Sequence, residues 1–253
     1  MPFDVIGSGM LARAFASAAE TGPDAIICAS GVADSQSSDV FAFRREQALL
    51  NDLTRRARER RAVLVYFSGA PVYGRVSGLR VETAEATPET PYGRHKLECE
   101  KLVADGGARY LVLRLPNVVG PSGHPRQLIP SLVAQTLNGS IVTRTDATRD
   151  LFDVDDLVAI VAALLRRGVC NSTLNVASGI STPVLRLVEV IAETLGASPS
   201  VLSVEGGDSQ EFSTAKVCGL LPEYPRFEPD YPVNVLSRRV PEIARALMDG
   251  AIR

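Results

Sequence analysis

Histidine and cysteine are scarce in this 253-residue chain, and neither is spaced as metal ligands are. His95 and His124 are the two histidines, and Cys28, Cys99, Cys170 and Cys218 fall without a CxxC or Cys/His pairing. Four reduced thiols in a cytosolic protein fit that scatter better than disulfides, and no metal is expected. Charge of one sign is also lacking. A net charge of −2 and a pI near 5.8 leave no electrostatic footprint for nucleic acid, and no basic amphipathic stretch suggests a membrane surface. The longest apolar run, Leu157 to Leu165, is far short of a membrane span of roughly 20 residues. Met1-Pro2-Phe3-Asp4 lacks the basic start of a secretion signal. Repeats and low-complexity tracts are absent as well. These absences leave a cytoplasmic protein that works on small molecules, and 45% apolar content supports one sizeable α/β domain with a minor lobe.

Lysine is rarest of all the charged residues: three stand against 24 arginines among the 27 basic residues. One of the three is Lys96, four residues after Tyr92. Thr90 can cap a helix there and Pro91 suits its first position, so Tyr92 and Lys96 share a helical face. A nearby ammonium favours the phenolate and lets the tyrosine exchange a proton. With six tyrosines and three lysines, chance would supply only roughly 0.07 such pairs. The plain alternative is two solvated neighbours on an exposed helix.

Phe3 to Ile6 reads as a strand entering Gly7-Ser8-Gly9-Met10-Leu11-Ala12, with an Ala-rich helix to about Glu20. This GxGxxA turn suits a dinucleotide: Gly7 allows the turn, Gly9 lets a pyrophosphate approach the backbone, and Ala12 lets the helix pack closely. Asp24 to Ser30 forms a second strand, with no acidic residue placed to grip an adenine ribose. Phe41 to Arg61 reads as a polar helix with Leu49, Leu50 and Leu53 inward and an arginine-rich solvated face. Further strands are expected at residues 62–67, 110–115, 141–143 and 174–176. Further helices are expected at 129–137, from Asp153–Asp156 to Gly168, from Thr182-Pro183 to Gly196, and at 241–248. The residues after Gly196 read as a loosely built lobe.

Taken together, the glycine turn, Tyr66-Phe67-Ser68-Gly69-Ala70-Pro71-Val72-Tyr73-Gly74, the Tyr92–Lys96 pair, Leu113-Arg114-Leu115-Pro116-Asn117, Arg149-Asp150-Leu151-Phe152-Asp153 and Leu174-Asn175-Val176 resemble the extended short-chain dehydrogenase/reductases. The similarity is strongest to the nucleotide-sugar epimerase, dehydratase and reductase branch. It implies a Rossmann-like parallel sheet flanked by helices over residues 1–178, with segment 120–140 contacting substrate, and a small substrate lobe over 179–253. It implies NADPH, or NADH, held by Gly7, Gly9, Met10, Leu11, Arg13, Ala29, Ser30, Tyr92 and Lys96. Tyr92 would be the proton donor or acceptor, Lys96 would bind the nicotinamide ribose, and Asn117 and Arg149 would meet a nucleoside-diphosphate sugar. A homodimer through the Tyr-bearing helix and its predecessor is also implied.

Two departures from the family stand out. The usual catalytic hydroxyl position is Gly69, with Ser68 one residue earlier, so either Ser68 is re-aimed by a local irregularity or the tyrosine works without that partner. Asp24 to Ser30 also matches the family's fourth strand, so the second and third strands are expected to be missing. A compact member with an intact Tyr–Lys pair is most similar to the 4-ketoreductases of deoxysugar biosynthesis. An NAD-retaining epimerase and a non-catalytic dinucleotide sensor are the alternatives.

Overall fold

The computed structural model describes residues 3–18, 23–75 and 78–250. The chain runs β1 (Asp4–Ile6), α1 (Met10–Ser17), β2 (Ala25–Cys28), α2 (Val40–Arg60), β3 (Val63–Gly69), a 3-10 turn at Ala70–Tyr73, β4 (Leu79–Arg80), α3 (Pro91–Asp105) and β5 (Arg109–Leu115). It continues with β6 (Asn117–Val119), α4 (Leu128–Leu137), β7 (Ser140–Arg144), β8 (Thr148–Arg149), β9 (Leu151–Asp153), α5 (Val154–Arg166), β10 (Ser172–Asn175), β11 (Thr182–Pro183), α6 (Val184–Leu195), β12 (Ser200–Val204), β13 (Glu211–Phe212), α7 (Ala215–Leu220) and α8 (Tyr231–Met248). The end expected for the first helix, Glu20, lies outside the described residues.

β1, β2, β3, β5 and β10 form one parallel sheet in that spatial order. The inner strands are buried on both faces, which is why they read as unbroken apolar runs. On one face Phe15 of α1 and Leu157 and Val161 of α5 pack against Val65, Phe67 and Leu113. On the other, Leu50 and Leu53 of α2 and Cys99 and Val103 of α3 pack against Ile26, Leu64 and Val112. α1 therefore lies opposite α2, although each helix leads to the next strand in the same direction along the sheet. The β1–α1–β2 crossover thus has the opposite hand to β2–α2–β3, against the strong preference for a single hand in such units.

Only residues 18–24 separate α1 from β2, and β1 is the sheet edge, as expected if the second and third strands of the resembled family are missing. Because α1 and α2 leave on opposite faces, a crevice still opens beyond the carboxyl ends of β1 and β2, where such sheets bind ligands. The arginine-rich face of α2 is only partly a solvated one. Arg56 and Arg60 reach across to Asp4, and Arg60 also pairs with Asp24, tying the helix to the two strands nearest the edge.

A second core joins α4 (Ile129, Leu132) to α6 (Leu187, Ile191) and α8 (Leu236, Val240). The small lobe therefore draws on residues well before position 178, and of the stretch after Gly196 it is α8 that supplies the packed core. α8 also begins at Tyr231, ten residues before the expected start, and runs through Pro241. A proline inside a helix costs about 3 kcal/mol because it offers no N–H to the Ser237 carbonyl; burial of Val235, Leu236, Val240 and Ile243 offsets it.

Arg239 adds a polar clamp. Its guanidinium meets both oxygens of Asp153 at 2.8 Å, while Asp153 also caps α5 by accepting from the Asp155 N–H at 2.8 Å. Burial would raise the Asp153 pKa, but hydrogen bonds from Arg239, the Asp155 N–H and Arg238 outweigh it and hold the carboxylate below its ordinary range. Its contribution to stability is therefore complete above the unfolded-state pKa and lost as the pH falls through the lower folded-state value. Asp153→Ala should cost about 3 kcal/mol in urea unfolding at pH 7, the low end for a broken buried pair, because Arg239 keeps its bonds to Asp155 and Glu242 while α5 loses its cap. The deficit should shrink in the acid range; an equal deficit at every pH would count against this role.

Candidate active site

The glycine turn is built as its sequence requires. Gly7 has φ +135°, and a Cβ there would lie 2.5 Å from the Ala29 carbonyl oxygen, so only glycine fits. Above Gly9 a Cβ would meet nothing within 4 Å, which leaves space for a ligand against the backbone. Gly9 is also the N-cap of α1 and provides no side-chain acceptor, so the first helical N–H groups are free to bind an anion. Arg13, one turn into α1, donates to the Ser8 carbonyl at 2.8 Å and to Ser122 Oγ at 2.6 Å, joining the turn to the loop after β6. Met10, Leu11, Ala29 and Ser30 line the same cleft.

Thr90 caps α3 by accepting from the Gly93 N–H at 3.0 Å, and Pro91 occupies the first turn. Tyr92 and Lys96 face the cleft together, the Lys96 ammonium 5.7 Å from the Tyr92 ring centre. What lies behind Lys96 is not legible in the motif. Its Nζ donates to Glu46 Oε1 at 2.8 Å, to the Tyr66 hydroxyl at 3.1 Å and to the Phe67 carbonyl at 3.4 Å. An ammonium has three donors, and each here has a protein acceptor within reach, the Phe67 carbonyl being the most distant.

Glu46, from the second turn of α2, is equally well satisfied. Oε1 also accepts from the Tyr66 hydroxyl at 2.9 Å, and Oε2 meets the Val32 N–H at 2.8 Å and His95 Nε2 at 3.0 Å. Burial opposes its ionisation, but His95 and Lys96 bring its pKa down to about 2. For Lys96, burial opposes the charge while the anionic partners hold its pKa above the ordinary value. The Tyr92 phenol is raised, first by burial; Lys96 lowers it, and Glu46, Asp34 and Cys99 raise it. Glu46, His95 and Cys99 place ligand-type atoms within 4.8 Å of one another, but the ammonium on the same carboxylate repels a cation.

Ser68 lies on the Tyr66 side of β3, and its buried Oγ has no hydrogen-bond partner among the described residues. β3 keeps regular register with β5 through Ser68 and Gly69, so no bulge re-aims the serine. A Cβ on Gly69 would sit 3.4 Å from the Leu115 carbonyl oxygen, ordinary contact, so space does not forbid a side chain there.

At the far end of the cleft Asn117 begins β6 and donates to the Asp150 carbonyl and to Gln210 Oε1, each at 3.3 Å. Arg149 pairs with Asp208 at 2.8 Å and also donates to the Asp208 carbonyl. Sequence reasoning missed two neighbours. Arg80 is 1% exposed and donates to the Ser209 carbonyl at 2.7 Å, while its Nε has no partner among the described residues. Arg144 donates to the Glu205 carbonyl at 3.4 Å. One loop thus caps three arginines, of which Arg149 alone lies in a motif. The cleft measures about 1470 Å³ and connects the glycine turn, Tyr92 and these arginines. A site for one small ligand is typically about 300–1,000 Å³, so this volume accommodates two.

The closest functional context comes from known proteins. The chain is 29% identical over 153 residues to GDP-6-deoxy-D-mannose reductase of Pseudomonas aeruginosa, covering 54% of this chain and 50% of that one. It is 32% identical over 160 residues to UDP-glucose 4-epimerase of Azospirillum brasilense, covering 53% and 46%. These matches span about half the length of each relative. Its fold superimposes on RMD from Pseudomonas aeruginosa complexed with NADPH at a TM-score of 0.72 and 22% identity, over 88% of this chain and 82% of that one. No helix among the described residues is long and apolar enough to cross a membrane. The resemblance to the extended short-chain dehydrogenase/reductases holds over most of the chain. From residue 7 to residue 177 it matches the sequence profile of the NAD dependent epimerase/dehydratase family, to which the chain belongs.

Proposed function

We propose that the protein reduces the keto group of a nucleoside-diphosphate 4-keto-6-deoxyhexose, with Tyr92 as proton donor. The observation that carries this reading is the placing of Tyr92 and Lys96 on one face of α3, in the cleft that begins at the glycine turn, where the phenol can pass a proton to a substrate held beside a dinucleotide. A proton donor suits reduction. A retaining epimerase must hold NAD through oxidation and reduction of one sugar, and a sheet that ends at β1 offers the adenosine less to lie against.

The turn at Gly7–Gly9 and the start of α1 fit a pyrophosphate, and Met10, Leu11, Ala29 and Ser30 would flank the cofactor. A bound nicotinamide dinucleotide supplies hydride. Arg13 places a cation at the turn and favours NADPH over NADH, in line with the NADPH held by RMD. Arg149, with Arg80 beside it in the same cleft, would receive the diphosphate of the sugar nucleotide, and Asp208 must give way to it. Asn117 would face the sugar. Tyr92 passes its proton to the keto oxygen as hydride reaches the carbon, giving the alcohol. A second reading, a dinucleotide-binding protein without turnover, is favoured by the fully engaged Lys96 and the bare Gly69.

Three outcomes are expected. The purified protein should oxidise NADPH stoichiometrically with a dTDP-4-keto-6-deoxyglucose-type substrate in a single-turnover absorbance assay; silence from a folded, cofactor-binding protein would favour the second reading. Tyr92→Phe should lower turnover at least about 100-fold with NADPH affinity unchanged, as loss of a general acid does. Gly69→Ser should fit and raise kcat about tenfold or more by adding a donor to the keto oxygen, a conservative figure for one such donor. An unchanged or lower kcat in that variant would show that the site has no use for the family's hydroxyl.

A further inference from the structure

The far end of the cleft holds more positive charge than the protein itself answers. Arg80, Arg144 and Arg149 line it together, and among the described residues only Arg149 has an ion-pair partner, Asp208. Arg80 is buried with a free Nε; burial depresses its pKa, while Asp208 sustains the charge and Arg149 opposes it. A guanidinium shut off from water without a carboxylate of its own is costly, and an anionic ligand relieves that cost.

The loop over these arginines has a fixed backbone. The Asp146 N–H donates to the Gly206 carbonyl at 3.3 Å, the Thr148 N–H to the Asp208 carbonyl at 3.1 Å, and the Gln210 N–H to Thr148 Oγ1 at 3.2 Å. Gly207, at φ +144°, is pressed against the Ala147 nitrogen with no room for a Cβ. Asp208 and Gln210, two residues apart, both line the cleft. Asp208 Oδ1 accepts from Arg149 at 2.8 Å and Gln210 Oε1 from Asn117 at 3.3 Å, so one loop covers the two groups assigned above to the diphosphate and the sugar. The Asp208 side chain is 45% exposed, which gives its carboxylate water to turn into while the backbone stays in place.

We propose that Asp208 is a resident competitor for the sugar nucleotide: in the free protein its carboxylate takes the place of a phosphate on Arg149, and it turns away, with the Gln210 amide, when the diphosphate arrives. The proposal rests on the reading of this end of the cleft as the diphosphate seat. Asp208 then sets how tightly substrate and product bind, because the ligand must displace one anion and afterwards lie near it. A sugar nucleotide's diphosphate carries two negative charges where Asp208 carries one, which serves Arg80 as well as Arg149.

Isothermal titration of the full chain with dTDP, UDP and GDP, which share the diphosphate, reads the exchange. Asp208→Asn keeps the shape of the side chain and should tighten binding by about tenfold, a modest figure for removing a juxtaposed like charge. Glu205→Gln makes the same charge change in the same loop, on a carboxylate that pairs with none of these arginines among the described residues, and should change affinity by less than about twofold. In an Arg149→Gln background Asp208→Asn should bring no gain.

An affinity unchanged or weakened by Asp208→Asn overturns the proposal. So does an equal gain in Glu205→Gln or in the Arg149→Gln background, since either would mark a general effect of charge. Failure of all three nucleotides to bind both the parent and Asp208→Asn overturns it too. If Asp208→Asn does not fold, Asp208→Ser decides by the same criteria. Turnover separates this proposal from the reductase reading: a parent that reduces the ketone with no gain in Asp208→Asn keeps that reading and removes Asp208 from its role, and a gain in a protein that reduces no ketone does the reverse.

Discussion

An ammonium and a carboxylate 2.8 Å apart, both shut off from water, hold the site together. Burying either charge alone would be costly, and the pair is sustained because nearly every lone pair and proton has a partner. Glu46 accepts from Lys96, Tyr66, Val32 and His95, while Lys96 donates to Glu46, Tyr66 and the Phe67 carbonyl. The same contacts join α2, α3, β3 and the loop after β2. The side chains that surround Lys96 therefore also fix the helix that carries it and Tyr92.

The sheet explains how so short a cofactor half can keep a site. Without two strands beyond β1, the sheet ends at the glycine turn, and α1 crosses to the face opposite α2. That uncommon hand preserves the divergence of helices that opens a crevice at the strand ends. At the glycine turn the crevice offers the free N–H groups of α1 and open space over Gly9, which suit an anion. Beyond it no further strand extends the sheet, because β1 is the edge. The two ends of the cleft thus rest on different supports, backbone amides at one and arginines capped by a loop at the other.

Much of this was legible in the chain, for identifiable reasons. Thr90, Pro91 and the four-residue step fixed α3 because capping and helical periodicity are local properties. The unbroken apolar runs marked the inner strands, and Asp24 to Ser30 indicated the missing pair of strands. α8 was truncated in the reading because Pro241 is a strong local signal that tertiary packing overrode. β4, β6 and β13 went unseen because two- or three-residue strands are made by their partners and not by their own pattern. Glu46 was hidden for a similar reason. Within an arginine-rich polar helix it looks like one more solvated acid, and only the packing of α2 on α3 turns it toward Lys96. Arg80 and Arg144 became site residues through a loop that lies more than 60 positions away in sequence.

The decisive measurement is a crystal structure of the protein bound to NADPH. If the account holds, the pyrophosphate lies over Gly9 at the start of α1 and the nicotinamide ring lies beside the Tyr92 hydroxyl. A dinucleotide bound elsewhere, or with its nicotinamide away from Tyr92, would contradict the account.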